Sequence, residues 1–224
     1  MNSANRADES DETGGHLAYW NGPGATKTFT HPVHHGWLAS VARDARILDY
    51  GCGYGRVTAE LTDLGFDDVS GVDPSPALVE RGRRSRPDLR LAVLPSPPAL
   101  PHPAASLDLV LLFAVLTCVP DEAAQRALIA ELVRVLAPGG LLYISDMTLQ
   151  EDARDQERYI AHARRFGTPY GVFATDDGAL CRHHDLAGLR ALLGDLDLLA
   201  ERRIDVLTMN GHRSRGVQLL ARKG

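Results

Sequence analysis

An acidic residue followed by a glycine-rich turn stands at residues 49–55 of the chain. Asp49 ends an apolar run, and Gly51, Gly53 and Gly55 follow it at once. Glycine permits a left-handed backbone and lets a ligand approach the main chain closely. The residues from 56 onward have the pattern of a helix, and a strand, a glycine turn and a helix N-terminus together form a binding corner for nucleotide-type ligands. The turn is therefore predicted to hold such a ligand.

The spacing of the glycines distinguishes between kinds of nucleotide site. A dinucleotide fingerprint reads G-x-G-x-x-G, but Arg56 stands at the position of its third glycine. A P-loop ends in Gly-Lys-Ser/Thr, and this turn has no lysine. A second acid, Asp73, follows at the end of the next predicted strand. A carboxylate near that spacing can accept two hydrogen bonds from a ribose, although Asp73 can also be explained as a turn residue before Pro74.

The elements that must position these residues alternate along the first two thirds of the chain. Strands are predicted over 46–49, 68–72, 89–94, 107–113 and 141–145, and helices over 33–42, 56–64, 76–84 and 121–136. Alternation of this kind favours βαβ units and a parallel sheet. The pattern then changes: we expect a helix over 151–166, a hairpin over 170–184, a helix over 185–193 and two antiparallel strands over 203–209 and 216–222.

Four motifs in this order resemble the core of the class I S-adenosylmethionine-dependent methyltransferases. They are D-x-G-x-G-x-G at 49–55, V-D-P-S at 72–75, S-x-D-L-V at 106–110 and R-V-L-x-P-G-G at 134–140, and the resemblance covers roughly residues 36–146. It implies an α/β, Rossmann-like three-layer sandwich with a seven-stranded sheet of order 3-2-1-4-5-7-6, strand seven antiparallel, and a small cap insertion after strand five.

The expected domain organisation follows from the same resemblance and from composition. Residues 1–15 are polar and acidic and are predicted to form a disordered tail. Residues 16–224 are expected to form a single methyltransferase domain, with a lid segment at 16–35 and the cap insertion at 147–184.

The resemblance implies S-adenosylmethionine as cofactor and S-adenosylhomocysteine as product. The glycine turn would hold the methionine part of the cofactor, and Asp73 would hold its ribose. Many relatives carry an acid after strand three that bonds the adenine amine. Here Ser96 is nearest to that position, and its hydroxyl would bind more weakly. The predicted cofactor residues are Asp49, Gly51, Cys52, Gly53, Asp73, Pro74, Ser96, Phe113 and Ala114.

Aromatic and histidine side chains outside this core are the candidates for the acceptor site. The aromatic candidates for substrate binding are Tyr19, Trp20, Phe29, Tyr170 and Phe173, for which ordinary packing is the alternative. His183 and His184, and also His31, are candidate general bases, since histidine titrates near neutral pH; capping or packing is again the alternative. No metal is expected, because His31 and His35 lack a third ligand at an evident spacing.

Composition restricts the partners of the chain. The formal net charge of −5 argues against a nucleic-acid partner, which usually needs a basic patch. The longest apolar stretch, 107–119, is too short to cross a membrane, and the first 15 residues have no apolar signal region. The three cysteines form no C-x-x-C pair. We expect a reduced, cytoplasmic protein that is a monomer or a homodimer.

These observations predict methyl transfer from S-adenosylmethionine to oxygen or nitrogen of a small metabolic or secondary-metabolite acceptor. Proximity and orientation would supply most of the acceleration, with a histidine base where the acceptor needs one. Three alternatives remain: a tRNA or protein methyltransferase, an NAD(P)-dependent oxidoreductase, and a non-catalytic protein that binds S-adenosylmethionine. The oxidoreductase is disfavoured by Arg56.

Overall fold

The structure is a computed structural model in which Gly15 and residues 17–224 are described. Apart from Gly15, the tail predicted to be disordered lies outside these residues. Within them, no helix has the length and apolar character that crossing a membrane requires.

A mixed sheet forms the centre of the fold. Its strands are β1 (Arg46–Tyr50), β2 (Asp68–Asp73), β3 (Arg90–Val93), β4 (Leu107–Phe113), β5 (Leu136–Met147), β8 (Asp197–Leu207) and β9 (Arg213–Arg222), with β6 (Val172–Ala174) and β7 (Leu180–Arg182) forming a separate two-stranded sheet. The spatial order is β3-β2-β1-β4-β5-β9-β8, and β9 runs antiparallel to both of its neighbours. Counted within the large sheet alone, this is the predicted order 3-2-1-4-5-7-6 with an antiparallel seventh strand, which is confirmed.

Helices cover both faces of the sheet and so give the predicted three layers. They are α1 (His35–Leu38), α2 (Arg56–Asp63), α3 (Pro76–Ser85), α4 (Glu122–Val135), α5 (Ala153–Phe166) and α6 (Leu186–Leu192). Residues of α4 and α6 pack on one face, where Leu128 and Leu189 meet Val110. Residues of α1 and α2 pack on the other, where Leu61 meets Leu111. The central strand β4 is buried on both faces, because a parallel sheet lies between helix layers.

The cap, residues 147–184, consists of α5 and the β6–β7 hairpin. The hairpin turns at residues 175–178, where Gly178 takes a positive φ of 94°. Tyr159 of α5 is fully buried and packs against Phe173 of β6. The hairpin predicted over 170–184 is therefore present, and its aromatic face is attached to the helix before it.

The observed elements differ from the predicted ones at three places. The helix expected over 33–42 is only α1, and Gly36 within it has a low helix propensity. The break expected at 138–140 lies inside β5, which begins at Leu136; the register against β4 shifts there, and Gly139 takes a positive φ. The last two strands begin earlier in the chain than the sequence predicts. In the edge strand β8, the exposed Leu198 and Leu199 break the alternation of polar and apolar residues, so the sequence pattern does not mark the start of the strand.

Candidate cofactor and acceptor site

The glycine turn is hydrogen-bonded to the end of the neighbouring strand β2. The main-chain nitrogens of Gly51 and Cys52 donate to the carbonyl oxygen of Val72 at 2.8 and 3.0 Å. All three glycines of the turn have positive φ, between 55° and 80°. A Cβ on Gly51 would also overlap Cγ2 of Val115, which follows β4. The turn therefore requires glycine both for its backbone and for its packing.

Asp49 holds the turn against the helix that follows it. Its Oδ2 accepts hydrogen bonds from the main-chain nitrogen of Thr58 at 3.0 Å and from the Thr58 hydroxyl at 2.8 Å. Burial raises the pKa of Asp49 to about 6, and the hydrogen bonds from Thr58 act in the opposite direction. The carboxyl thus fixes the end of β1 to the first turns of α2.

Asp73 lies directly beside the turn, at the end of β2. Its Oδ2 accepts from the main-chain nitrogen of Gly53 at 2.9 Å, and its Oδ1 accepts from that of Ser75 at 2.8 Å. Burial raises the pKa of Asp73 to about 6, while these two donors lower it. An ionised carboxylate has about four acceptor positions, so each oxygen keeps one for a further donor. That arrangement suits a pair of ribose hydroxyls.

An aromatic lid lies on the glycine turn. The lid is residues 17–35, and its Phe29 ring stacks on Tyr54 of the turn, with centroids 5.8 Å apart and planes 18° apart. Trp20 packs against Phe29 at 5.9 Å. The guanidinium of Arg81 lies 4.0 Å from the centre of the Tyr54 ring and donates to the Lys27 carbonyl oxygen at 2.7 Å. The lid is thus fastened to both the turn and α3.

A cavity of about 760 Å³ lies where β4 and β5 end. This size is typical of ligand sites, and the carboxyl edge of a parallel sheet is where ligands bind in open α/β folds. Its wall includes Trp20, Phe29 and His31 of the lid, Ala114, Thr117 and Cys118 after β4, Met147 at the end of β5, and Arg158, Phe173 and His183 of the cap. Ala114 has a positive φ of 55°, which is a strained backbone for alanine.

Asp177, in the hairpin turn, joins three segments above this cavity. It forms an ion pair with Lys27 of the lid at 2.6 Å and accepts a hydrogen bond from the Tyr19 hydroxyl at 3.0 Å. Asn210, between β8 and β9, also donates to it, at 3.3 Å. These partners hold the pKa of Asp177 well below its usual range, although burial alone would raise it. The lid, the hairpin and the last strand pair therefore meet at one carboxylate.

The predicted histidines occupy different environments. Nδ1 of His31 is 2.9 Å from the Ser145 hydroxyl, and Nδ1 of His183 is 2.5 Å from the Tyr159 hydroxyl. Burial lowers the pKa of His31 to about 4 and that of His183 to about 3. Both rings line the cavity. His184, also predicted as a base, does not line it: its Nε2 is buried without a partner, and its main chain pairs with β5.

Other predicted residues lie beside the cavity rather than in it. Tyr170 lies just before the buried strand β6, is 49% exposed and makes an edge-to-face contact with the Tyr159 ring. Tyr19 supports Asp177 and does not face the cavity. Phe113 packs on Tyr143 in the core. Ser96 is exposed, and its carbonyl oxygen accepts a turn hydrogen bond. Tyr19 and Tyr170, predicted to bind substrate, thus lie outside the cavity wall.

The remaining turn residues have structural neighbours. The Cys52 side chain lies in the core under the turn, where a Cβ on Gly71 would be 2.9 Å from its sulfur. Pro74 separates Asp73 from Ser75, whose hydroxyl donates to Asn21 of the lid at 2.8 Å. In the described part of the chain, no group of three or more His, Cys, Asp or Glu side chains could hold a metal ion.

Two arginines at the site were missed by sequence reasoning. Arg56 donates to the His31 carbonyl oxygen at 2.5 Å. The sequence marks Arg56 as the residue that replaces the third glycine of a dinucleotide fingerprint, but it gives no indication of this partner. Arg158 places its guanidinium 3.5 Å from the centre of the Phe173 ring and pairs with Asp155 at 3.0 Å. Nothing in the charged pattern of α5 distinguishes Arg158 from its exposed neighbours.

Comparison with known proteins agrees with this geometry. Residues 48–144 match the methyltransferase domain family. The chain is 34% identical over 124 residues to demethylmenaquinone methyltransferase of Beutenbergia cavernae, covering 55% of this chain and 50% of that protein. It is 39% identical over 99 residues to trans-aconitate 2-methyltransferase of Methylobacterium radiotolerans, covering 43% and 36%. The chain thus spans half or less of the length of these curated relatives.

A solved structure shows the same fold along most of the chain. It is a SAM-dependent methyltransferase of Methanosarcina mazei, with a TM-score of 0.79 and 23% identity over 85% of this chain and 98% of that one. This likeness covers more of the chain than the matched residues 48–144. The matched domain and the sheet order together identify residues 48–144 as a methyltransferase domain with the fold of the class I S-adenosylmethionine-dependent enzymes.

Proposed function

We propose that this chain transfers the methyl group of S-adenosylmethionine to a small molecule bound in the cavity at the ends of β4 and β5. The observation that carries the proposal is the make-up of the cavity wall. Its walls come from the lid, the cap and the last strand pair, and the Lys27–Asp177 ion pair joins lid and cap above it. A space of about 760 Å³ between these segments has the size of a small-molecule site and supports a small acceptor.

The residues of the glycine turn fit the cofactor that the family uses. Asp73 would accept from the ribose hydroxyls, and Gly51 and Gly53 would leave room for the methionine part against the main chain. When bound, the cofactor supplies a sulfonium methyl group that an acceptor lone pair can attack. S-adenosylhomocysteine would be the product, with the electron pair of the carbon–sulfur bond on sulfur, and a proton still carried by the acceptor atom would pass to water.

The chain itself contributes binding and orientation. Trp20 and Phe29 contact one another, and both line the cavity beside the glycine turn. Aligned contact between the two reactants can account for much of the rate of a displacement at carbon. The names of the curated relatives, which refer to demethylmenaquinone and trans-aconitate, support a small-molecule acceptor and leave its identity open.

Methyl transfer from labelled S-adenosylmethionine into a metabolite extract tests this function. We expect label in one or a few small molecules, with the products identified by mass. The control is Asp73→Ala, which should bind the cofactor weakly and lose the signal. Label in tRNA or protein instead, binding of NAD(P) in place of S-adenosylhomocysteine, or cofactor binding with no transfer in any extract would each contradict the proposal.

A further inference from the structure

The hydroxyl of Tyr159 fixes the hydrogen-bonding role of His183. Tyr159 is fully buried, and its oxygen accepts a hydrogen bond from the main-chain nitrogen of Gln150 at 3.3 Å. Burial raises the pKa of Tyr159 to about 12, so the phenol keeps its proton at neutral pH. Nδ1 of His183, 2.5 Å away, is the acceptor within reach of that proton. Tyr159 therefore donates to Nδ1 of His183.

The proton of the neutral His183 ring must then lie on Nε2. A neutral imidazole carries one N–H, and the nitrogen that accepts a hydrogen bond is the one without it. Within the described residues, Nε2 of His183 has no partner, yet it is not sealed off as Nε2 of His184 is. Since His183 lines the cavity, the ring presents a donor there and not a lone pair.

His31 is held in the same way from the opposite side of the cavity wall. Ser145 is buried, and its hydroxyl oxygen accepts from Nε2 of Gln218 at 3.2 Å and lies 2.9 Å from Nδ1 of His31. We infer that the hydroxyl proton of Ser145, whose oxygen already accepts from Gln218, is donated to Nδ1, and the His31 proton then lies on Nε2. Two neutral rings thus offer N–H groups to one cavity.

We propose that His183 binds the acceptor by donating a hydrogen bond from Nε2 to an oxygen of that molecule, and that Tyr159 is the positioning residue that fixes this tautomer. The inference rests on the proposed function. His31 supplies a second donor of the same kind. The acceptor class is a small molecule with a carbonyl or carboxylate oxygen near the atom that is methylated.

Charged groups of both signs lie near His183. The Arg158 guanidinium packs on Phe173, which is itself in edge contact with the His183 ring at 4.8 Å. Asp155 pairs with Arg158, but Nε of Arg158 remains buried without a hydrogen-bond partner. Across the whole cavity wall the charges balance, because Lys27, Arg154, Arg158 and Arg213 face Asp152, Asp155, Asp176 and Asp177, so the acceptor class rests on the two N–H donors and not on charge.

Paired substitutions of His183 distinguish a donor from a base. His183→Gln keeps an N–H group at similar reach, whereas His183→Ala removes it. We expect His183→Ala to lower kcat/KM about tenfold, on the scale of one lost hydrogen bond, and His183→Gln to recover most of the loss. Equal loss in both variants would overturn the donor role. Unchanged affinity for S-adenosylhomocysteine in both shows that the fold and the cofactor site are intact.

The tautomer itself is measured without any acceptor, so this test stands apart from the proposed function. In protein labelled with ¹⁵N-histidine, NMR should show His183 protonated on Nε2 and bare on Nδ1 at pH 7. Tyr159→Phe should abolish this preference, whereas Tyr170→Phe, which alters an exposed ring on the same cluster, should leave it unchanged. A proton on Nδ1 of His183 in the unsubstituted protein would overturn the inference.

The products of the labelled extract test the acceptor class. We expect each labelled product to contain a carbonyl or carboxylate close to the new methyl group. Mild alkali distinguishes a methylated carboxylate from an acceptor that is methylated at another atom, because it releases label from a methyl ester and not from an ether or an amine. A labelled amine or ether without any such oxygen would overturn the acceptor class.

Discussion

The guanidinium of Arg56 donates to the main-chain oxygen of His31 at 2.5 Å, and so joins the helix after the glycine turn to the lid. The same side chain pairs with Glu60 one turn further along α2, at 3.6 Å. The residue directly after the cofactor motif therefore holds one of the two cavity histidines. This contact adds to those of Phe29 and Arg81, which also join the lid to the glycine turn and to α3.

Removal of the Arg56 side chain should loosen the lid. For Arg56→Ala we expect a loss of about 1 kcal/mol in the free energy of unfolding, at the lower end for a hydrogen bond from a charged donor, because the side chain is partly exposed. Urea unfolding with a constant m-value measures it. Arg84→Ala, which removes an exposed pair with Glu80, serves as the control and should change the midpoint little. Equal losses would show that the contact with His31 contributes nothing.

Substitution of Asp73 should weaken cofactor binding. Asp73→Asn retains one acceptor oxygen but loses the charge, and we expect affinity for S-adenosylhomocysteine to fall by about 2 kcal/mol, or roughly 30-fold. Calorimetric titration measures it. Asp68→Asn, at the exposed start of the same strand, is the matched control. Unchanged affinity in Asp73→Asn would remove this residue from the ribose site.

The raised pKa of Asp73 also predicts a pH dependence. Below about pH 6 the free protein carries Asp73 protonated, and the carboxyl must lose its proton to accept from two hydroxyls. Affinity for S-adenosylhomocysteine should therefore rise with pH through about 6 and level off above 7. Calorimetry at pH 6 in two buffers of different ionisation enthalpy should detect proton release. Proton uptake, or no pH dependence in the unsubstituted protein, would contradict the assignment.

Loss of the Asp177 carboxylate should loosen the lid and the turn between β8 and β9 beside the cavity. Asp177→Ala removes the partner of Lys27, Tyr19 and Asn210 together, so hydrogen exchange should accelerate in residues 17–31 and 207–211 but not in β4. Asp176→Ala, in the same turn but exposed, should leave exchange unchanged. Because the pKa of Asp177 is depressed, its contribution to stability is present above its unfolded pKa near 4 and is lost only under more acidic conditions.

The glycine turn offers a test of packing against backbone strain. An alanine in a left-handed backbone conformation costs about 1–2 kcal/mol. Gly51→Ala should destabilise the protein by more than this cost, because the new Cβ also overlaps Val115. Gly65→Ala isolates the backbone cost, since Gly65 has a φ of 85° and no atom near its missing Cβ. Adding Val115→Ala to Gly51→Ala should recover part of the difference. No recovery in thermal unfolding would place the whole cost in the backbone.

The sheet and the cofactor corner were predictable from local patterns. Alternating apolar runs and helical periods set the strands, and the acid–glycine spacing marked the turn at Asp49 and the partner acid at Asp73. The limits of the elements were less accessible: nothing local shows that β5 already pairs with β4 at Leu136, across Pro138 and two glycines. The strand predicted from the sequence is shorter than β8, because the exposed leucines at the start of this edge strand disturb the alternation of polar and apolar residues.

The acceptor cavity was predictable only in part, because its contacts join distant parts of the chain. Asp177 looked like a turn residue, and its bond to Tyr19 spans 158 positions. His183 and His184 are neighbours of the same type, yet extended backbone directs adjacent side chains to opposite sides, and only His183 reaches the cavity. Which nitrogen of that ring carries the proton depends on Tyr159, a residue that sequence periodicity places only as one more apolar position of α5.

The β6–β7 hairpin pairs with itself and not with the seven-stranded sheet. Its length and side chains can therefore change without shifting the register of any strand that carries the cofactor corner. Exchange of residues 171–183 between relatives should therefore rebuild one wall of the cavity, including the carboxylate at 177 that binds the lid, while the strands that carry the glycine turn keep their pairing.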